Sequence, residues 1–268
     1  MTLKQNIPNT IAIASGKGGV GKSTTTLQLA RAMTNLGYRI GIFDADIYGP
    51  SLPSMCGFPQ PVESQGDELL SLKVDGISLM SCGFFTAENE AKILRGPMAA
   101  NLIKQILTQT VWGKLDYLLI DYPPGTGDIP LTLGQQINLT AAVLVCSPQK
   151  AALSDLKKAT DMFLTLKTPI AGFIETMSFF KCGGCELKHH PFGQDTIETF
   201  AKDLKLPFLG ETPFRKELVE QQNLGQGLKT EDGSNSFYQK IANQLVCEIE
   251  TIRQRNSNDL KRFQMNWS

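Results

Sequence analysis

The chain has 268 residues, and Lys plus Arg and Asp plus Glu both total 26, so no global basic field argues for nucleic acid and no acidic excess for a solvating tail. Its length is enough for one large α/β domain or two small ones with a substantial core. Six cysteines are too sparse for a disulfide scaffold; Met1 to Thr10 lacks an apolar leader core and no run approaches a membrane span, which together read as a cytoplasmic protein.

The first apolar run, Ile11 to Ala14, reads as a buried strand. It opens onto Ser15, Gly16, Lys17, Gly18, Gly19, Val20, Gly21, Lys22, Ser23 and Thr24, and a helical pattern with Leu27, Leu29, Ala30 and Met33 on one face continues to Leu36. Strand, glycine loop and helix in this order fit the phosphate-loop pattern G-x-x-x-x-G-K-[ST], with Gly16, Gly21, Lys22 and Ser23 in the required places. Glycines let successive N–H groups converge on phosphate oxygens, and the helix adds the positive end of its dipole. Lys22 is expected at the β- and γ-phosphates and the Ser23 hydroxyl on Mg²⁺, an ion that takes oxygen ligands.

Arg39 to Phe43 is the next buried strand, and it runs into Asp44, Ala45 and Asp46. Alternation along a strand sends Asp44 and Asp46 to the same side at its carboxyl end, where open α/β sheets bind ligands. Gly57 to Asp75 is rich in Pro, Gly, Ser and acids and reads as an exposed loop. Gly76 to Ser81 is predicted as a strand, and Pro97 opens a helix running to Thr110. Asp116 to Asp121 is a strand ending in an aspartate that matches the Walker-B role, followed by a switch-like loop, Tyr122 to Asp128, in which Gly125 can turn its N–H toward the γ-phosphate.

Ala141 to Cys146, a helix to Leu166 and Ile170 to Ile174 repeat the strand–helix–strand rhythm. Helices are predicted over Asp195–Leu204, Phe214–Gln222 and about 234–253, with a short strand at Leu206 to Gly210. The alternation predicts an α/β fold, a mostly parallel sheet with helices on both faces. We expect one ATPase domain over 1–253, with a cysteine loop at about 176–193, and a frayed, disordered tail over 254–268.

Cys182 and Cys185 form a C-x-x-C in which Gly183 and Gly184 let both sulfurs turn to one side. A redox dithiol would want a helix N-terminus right after the first cysteine, which the glycines oppose. Zinc needs four ligands; His189 and His190 are close, but their spacing is poor and both read as surface histidines rather than ligands. An iron–sulfur cluster also takes four thiolates, two from each chain of a two-fold dimer. Cluster or zinc at a dimer axis is preferred over a redox pair or inert loop thiols. Cys56, Cys82, Cys146 and Cys247 lie singly, mostly among apolar neighbours, and read as inert.

With Lys17 in its variable part, the loop resembles the deviant phosphate loop of the dimeric ATPases that include nitrogenase iron protein, MinD and ParA. Together with Asp44 to Pro53, Arg95 to Met98, Trp112 to Tyr117, Asp121 to Asp128, Met177-Ser178 before the C-x-x-C, and Leu206 to Gly210, it resembles the Mrp/ApbC family of iron–sulfur cluster carrier ATPases from about residue 8 to 230. The resemblance implies a homodimer that binds ATP, hydrolyses it slowly, and holds a labile [4Fe–4S] cluster for transfer to apo iron–sulfur proteins. By that likeness Lys17 crosses to the partner's nucleotide, Lys22 and Ser23 serve the phosphates and Mg²⁺, Asp46 orients the attacking water, Asp44 and Asp121 support the metal, Thr176 stands at the base, and Cys182 and Cys185 hold the cluster. Two positions depart from the family: Gly183 where proline is usual, and Thr176 where asparagine is, a hydroxyl in place of an amide's paired donor and acceptor. The alternative is a MinD- or ParA-type switch whose tail, with Leu260, Phe263 and Trp267 among basic residues, would lie on a membrane.

Overall fold

The computed structural model describes residues 7–57, 62–85, 96–185, 187–194, 196–226 and 236–265. Arg95, Asp195, Ser234 and Trp267, on which the sequence reading drew, lie outside them. In chain order the first half contains β1 (Thr10–Ala14), α1 (Lys22–Asn35), β2 (Ile40–Asp44), α2 (Leu52–Cys56), β3 (Ser64–Gln65), β4 (Glu68–Leu70), β5 (Leu72–Val74), β6 (Ile77–Ser81), α3 (Gly96–Gln109), β7 (Thr110–Val111) and β8 (Tyr117–Asp121). The second half contains α4 (Asp128–Gln136), β9 (Ala141–Cys146), α5 (Lys150–Thr165), β10 (Ile170–Glu175), β11 (Phe180–Lys181), β12 (Lys188–His189), α6 (Thr196–Leu204), β13 (Phe208–Glu211), α7 (Lys216–Asn223) and α8 (Ser236–Met265).

Uninterrupted apolar strands such as Thr10–Ala14 and Ala141–Cys146 are buried along their whole length, as strands of a sheet covered on both faces must be. They assemble an eight-stranded sheet in the order β13-β10-β9-β1-β8-β2-β6-β5, parallel except for the β5–β6 edge pair. Alternation divides each strand between two cores. Ala12 and Ala14 face α3, α4 and α5. Ile11 and Ile13 face α1 and α8, where Leu27, Met33, Ile241 and Leu245 close the second layer.

Three expectations change. The stretch read as a loop over Gly57–Asp75 contains β3, β4 and β5 among its described residues, two of them paired beside β7 and one added to the sheet edge. These strands of two or three residues are half exposed, too short to print a periodicity. Helix α4 passes unread because Pro130 and Gly134 look like breakers. Pro130 stands in the first turn, where no N–H is required, and at Gly134 an added Cβ would come 2.5 Å from Leu166 Cδ1. Helix α8 continues to Met265 rather than ending near Arg253, so the stretch read as a frayed tail is helical as far as Met265.

Candidate nucleotide and metal sites

The sheet order sets β1 between β8 and β9, while β2 lies beyond β8. The loops leaving β1, β2 and β8 therefore meet at one crevice at the carboxyl ends of the strands. Here Gly21, at φ 82°, leads into α1, and no side chain among the described residues caps that helix end. Its first-turn N–H groups are thus left for an anion. Gly16 is required for packing as well as bending: a Cβ there would stand 2.2 Å from the Asp155 carbonyl carbon and oxygen of α5.

A cleft of about 370 Å³ opens beside the loop, lined by Lys17, Gly18, Gly19, Gly21, Lys22, Ser23 and Thr24, and by Asp46, Pro124, Gln222 and Asn223. Beneath it, Asp44 and Asp121 are register partners at the ends of β2 and β8, both fully buried. The Lys22 ammonium lies 2.8 Å from Asp121 Oδ1. No aligned hydrogen bond satisfies it among the described residues, so a buried cation faces the cleft with donors to spare. Ser23 Oγ donates to Asp121 Oδ2 at 2.6 Å, and Thr26 Oγ1 to Oδ1 at 3.0 Å. Asp44 accepts from Ser81 Oγ at 3.0 Å and from the Asp46 and Leu52 amides. Burial, with Asp121 beside it, pushes the Asp44 carboxyl up to about 7 against the pull of Lys22. Burial also raises Asp46, whose Oδ1 accepts the Gly49 amide at 3.1 Å.

Other predicted residues sit one step back. The Gly125 N–H donates to the Ser15 carbonyl at 2.9 Å instead of pointing into the cleft. Lys17 Nζ reaches Gln149 Oε1 of its own chain at 3.3 Å. Val20 is buried, and its carbonyl accepts the Thr176 hydroxyl at 2.6 Å. Thr176 and Met177 line a smaller, mostly apolar recess of about 90 Å³ with Pro213, Phe214, Val219 and Tyr238, and Gly21 and Thr24 border both spaces. Gln149, Gln222 and Asn223 were not anticipated. Gln222 Oε1 accepts from Thr24 Oγ1 at 3.1 Å, yet it sits on a helix with no buried residue, where a glutamine carries no signal.

The cysteine pair occupies the turn of a hairpin that follows β10. Phe180 pairs with His189 and Lys181 with Lys188, and the Cys182 amide donates to the Leu187 carbonyl at 3.1 Å. Cys185 is exposed and Cys182 partly so. The N–H groups of Cys185 and Gly184, then the Cys185 thiol, hold Cys182 below the usual thiol range. His189, set aside in the sequence, brings Nε2 to 3.5 Å from Cys185 Sγ.

An uncapped glycine loop, an under-satisfied buried lysine and two register-matched aspartates at a sheet crevice define a P-loop nucleoside triphosphatase. The family model described as ParA, NUBPL iron-transfer P-loop NTPase, matches residues 6–249. The chain is 36% identical over 268 residues to the iron–sulfur cluster carrier protein of Helicobacter pylori, across 98% of this chain and 73% of that protein. The nucleotide-binding protein of Archaeoglobus fulgidus, in complex with ADP and with cobalt found in it, superposes with TM-score 0.76 at 36% identity, covering 87% of this chain and 92% of that one. The cell-division ATPase MinD of Pyrococcus furiosus shares the fold at TM-score 0.67 and 20% identity, over 89% and 98% of the two chains. The chain belongs to the iron-transfer P-loop NTPase family.

Proposed function

We propose that the protein is an ATP-hydrolysing iron–sulfur cluster carrier. As a homodimer it holds a labile [4Fe–4S] cluster as cargo between the Cys182 and Cys185 pairs of its two chains and delivers it to apo iron–sulfur proteins of the cytoplasm. The observation that carries this reading is the placement of the thiols. Both are accessible, and their hairpin is rooted on β10 through Thr176, whose hydroxyl holds the phosphate loop at Val20. One continuous segment thus joins the nucleotide cleft to the cysteines, which gives hydrolysis a physical route to the cargo.

In the cleft, Lys22 would neutralise the β- and γ-phosphates, the loop amides from Gly16 to Thr24 would cradle them, and Lys17 would leave Gln149 to reach the partner's nucleotide. Asp46, at the cleft wall, would orient the water for in-line attack on the γ-phosphorus. The oxygen donors of Ser23, Asp44 and Asp121 suit Mg²⁺, which neutralises developing charge on the phosphates when bound. Phosphoryl transfer asks a protein for positioning and charge more than for covalent chemistry, so slow turnover gated by dimer closure fits these few groups.

The MinD-type alternative draws on Leu260, Phe263 and Trp267, whose side chains lie outside the described residues. Among the described residues no helix is long and apolar enough to cross a membrane.

The carrier reading is tested by mixing cluster-loaded protein with an apo four-iron acceptor, with and without ATP and Mg²⁺, and following the acceptor's spectrum. Transfer accelerated by ATP in the unaltered protein, and lost in Asp46→Asn, is the expected result. Transfer that ignores nucleotide would separate the ATPase from the cargo and overturn the coupling.

A further inference from the structure

The hairpin places three soft or borderline ligands of one chain together. Cys182, Cys185 and His189 offer Sγ, Sγ and Nε2 atoms that all lie within 4.8 Å of one another. The antiparallel register does this: it carries the chain around the turn and sets His189 opposite Phe180, whose ring stacks on the imidazole at 5.0 Å between centroids and 17° between planes. The stack holds the plane of the ring, and Nε2 lies on the Cys185 side.

One of the three spacings is that of two ligands on a single ion, and the other two lie within 4.8 Å. Zinc-type bonds of about 2.3 Å to sulfur and about 2.0–2.1 Å to nitrogen, set at the tetrahedral angle, place the two donors about 3.6 Å apart. Cys185 Sγ and His189 Nε2 stand at 3.5 Å. Ligands to separate irons of a cluster each bind their own corner and have no need to converge on one point.

We infer that Cys182, Cys185 and His189 of a single chain form a Cys₂His site for one divalent ion of the zinc class. Three protein ligands leave the fourth tetrahedral position open to water or an incoming ligand. Binding converts both thiols to thiolates, and the two protons leave to solvent. The site is complete in one chain. It therefore differs from a cluster shared by two chains in both stoichiometry and ligands, and it gives the unloaded loop a defined occupant. It shares the cysteines with the carrier reading and does not depend on it.

The probe is Co²⁺, added without oxygen to the metal-free full-length chain, with absorption and bound metal measured on the unaltered protein, His189→Ala and His189→Cys. His189 is exposed, so its replacement spares the core. We expect one Co²⁺ per chain, with thiolate-to-cobalt charge-transfer bands and tetrahedral ligand-field bands. In His189→Ala the affinity should fall at least as far as the roughly 10–100-fold lost with an outer-shell partner, and in His189→Cys it should return with stronger charge transfer from a third thiolate. Unchanged affinity and bands in His189→Ala, or one ion per two chains, would overturn the inference. Iron and sulfide bound by the unaltered chain are scored separately. Cobalt at this site without a cluster sinks the carrier reading alone, and a cluster with cobalt binding indifferent to His189 sinks this one alone.

Discussion

Lys22 and Asp121 form a buried ion pair, 2.8 Å apart, with the lysine 6% and the aspartate 0% exposed. The same carboxylate accepts the hydroxyls of Ser23 and Thr26, so one aspartate at the end of β8 organises the first turn of α1 before any nucleotide arrives. Breaking a buried pair from one side leaves an uncompensated charge. Lys22→Met should therefore destabilise the nucleotide-free protein by about 3 kcal/mol, the low end for such pairs because two hydrogen bonds to Asp121 survive. Urea unfolding reads this directly. Adding Asp121→Asn should recover most of the loss, and a double variant as unstable as the sum of the singles would contradict the coupling.

Asp44 gives the protein a pH dependence whose sign follows from its burial. Desolvation, with Asp121 beside it, pushes its carboxyl up to about 7 in the folded chain from about 3.9 when unfolded, so between those values the folded state binds the extra proton. Stability from this group is fully present below about pH 4 and is lost as pH rises through about 7. Relative to Asp44→Asn, the unaltered protein should lose stability steadily over that window in urea titrations. A cation beside Asp44 should drive the proton off, so binding of Mg²⁺ with nucleotide near pH 6.5 should release protons in calorimetry run in buffers of different ionisation enthalpy. A flat difference between the two proteins across the window would show that Asp44 is already ionised.

Gly16 carries two constraints on one residue. A methyl group there meets the backbone of Asp155 at 2.2 Å and the Leu156 nitrogen at 2.7 Å, and backbone cannot swing aside as a side chain can. Gly16→Ala should cost at least the roughly 1–3 kcal/mol of an overpacked core. It should also weaken binding of a fluorescent ATP analogue, because the loop and α5 cannot both keep their places. Thermal unfolding and nucleotide titration of the same variant check the two effects.

Thr176 braces the phosphate loop. Its hydroxyl donates to the Val20 carbonyl at 2.6 Å, at a position 4% exposed. Thr176→Val keeps the shape and leaves that carbonyl unpartnered, at a cost of about 1–3 kcal/mol. Thr176→Ser should restore both stability and nucleotide affinity. Denaturation of the three proteins side by side settles the ranking.

Much of this arrangement was legible in the chain because local pattern and global fold agree there. The phosphate loop follows a strand and precedes a helix, Asp44 and Asp121 close apolar runs that become adjacent strands, and Cys182 and Cys185 are close in sequence. What could not be read depends on register and long-range packing. His189 joins the cysteines only because β11 and β12 pair with Phe180 opposite it. Gln222 reaches the cleft from a helix with no buried residue, and Gln149, just before α5, meets Lys17 only through the packing of that helix. Helix α4 hides behind Pro130 and Gly134, whose tolerance comes from a first-turn position and from Leu166 on a neighbouring element. Gly125, placed at the γ-phosphate by its loop, instead gives its N–H to Ser15.

Cargo stoichiometry at the cysteines tests the carrier reading most directly. The protein is purified without oxygen, reconstituted with iron and sulfide, and analysed beside a Cys182→Ser/Cys185→Ser variant. Four thiolates from two chains predict about two irons and two sulfides per chain, absent from the variant. Iron and sulfide retained by the variant, or no cluster on the unaltered protein, would contradict the carrier reading.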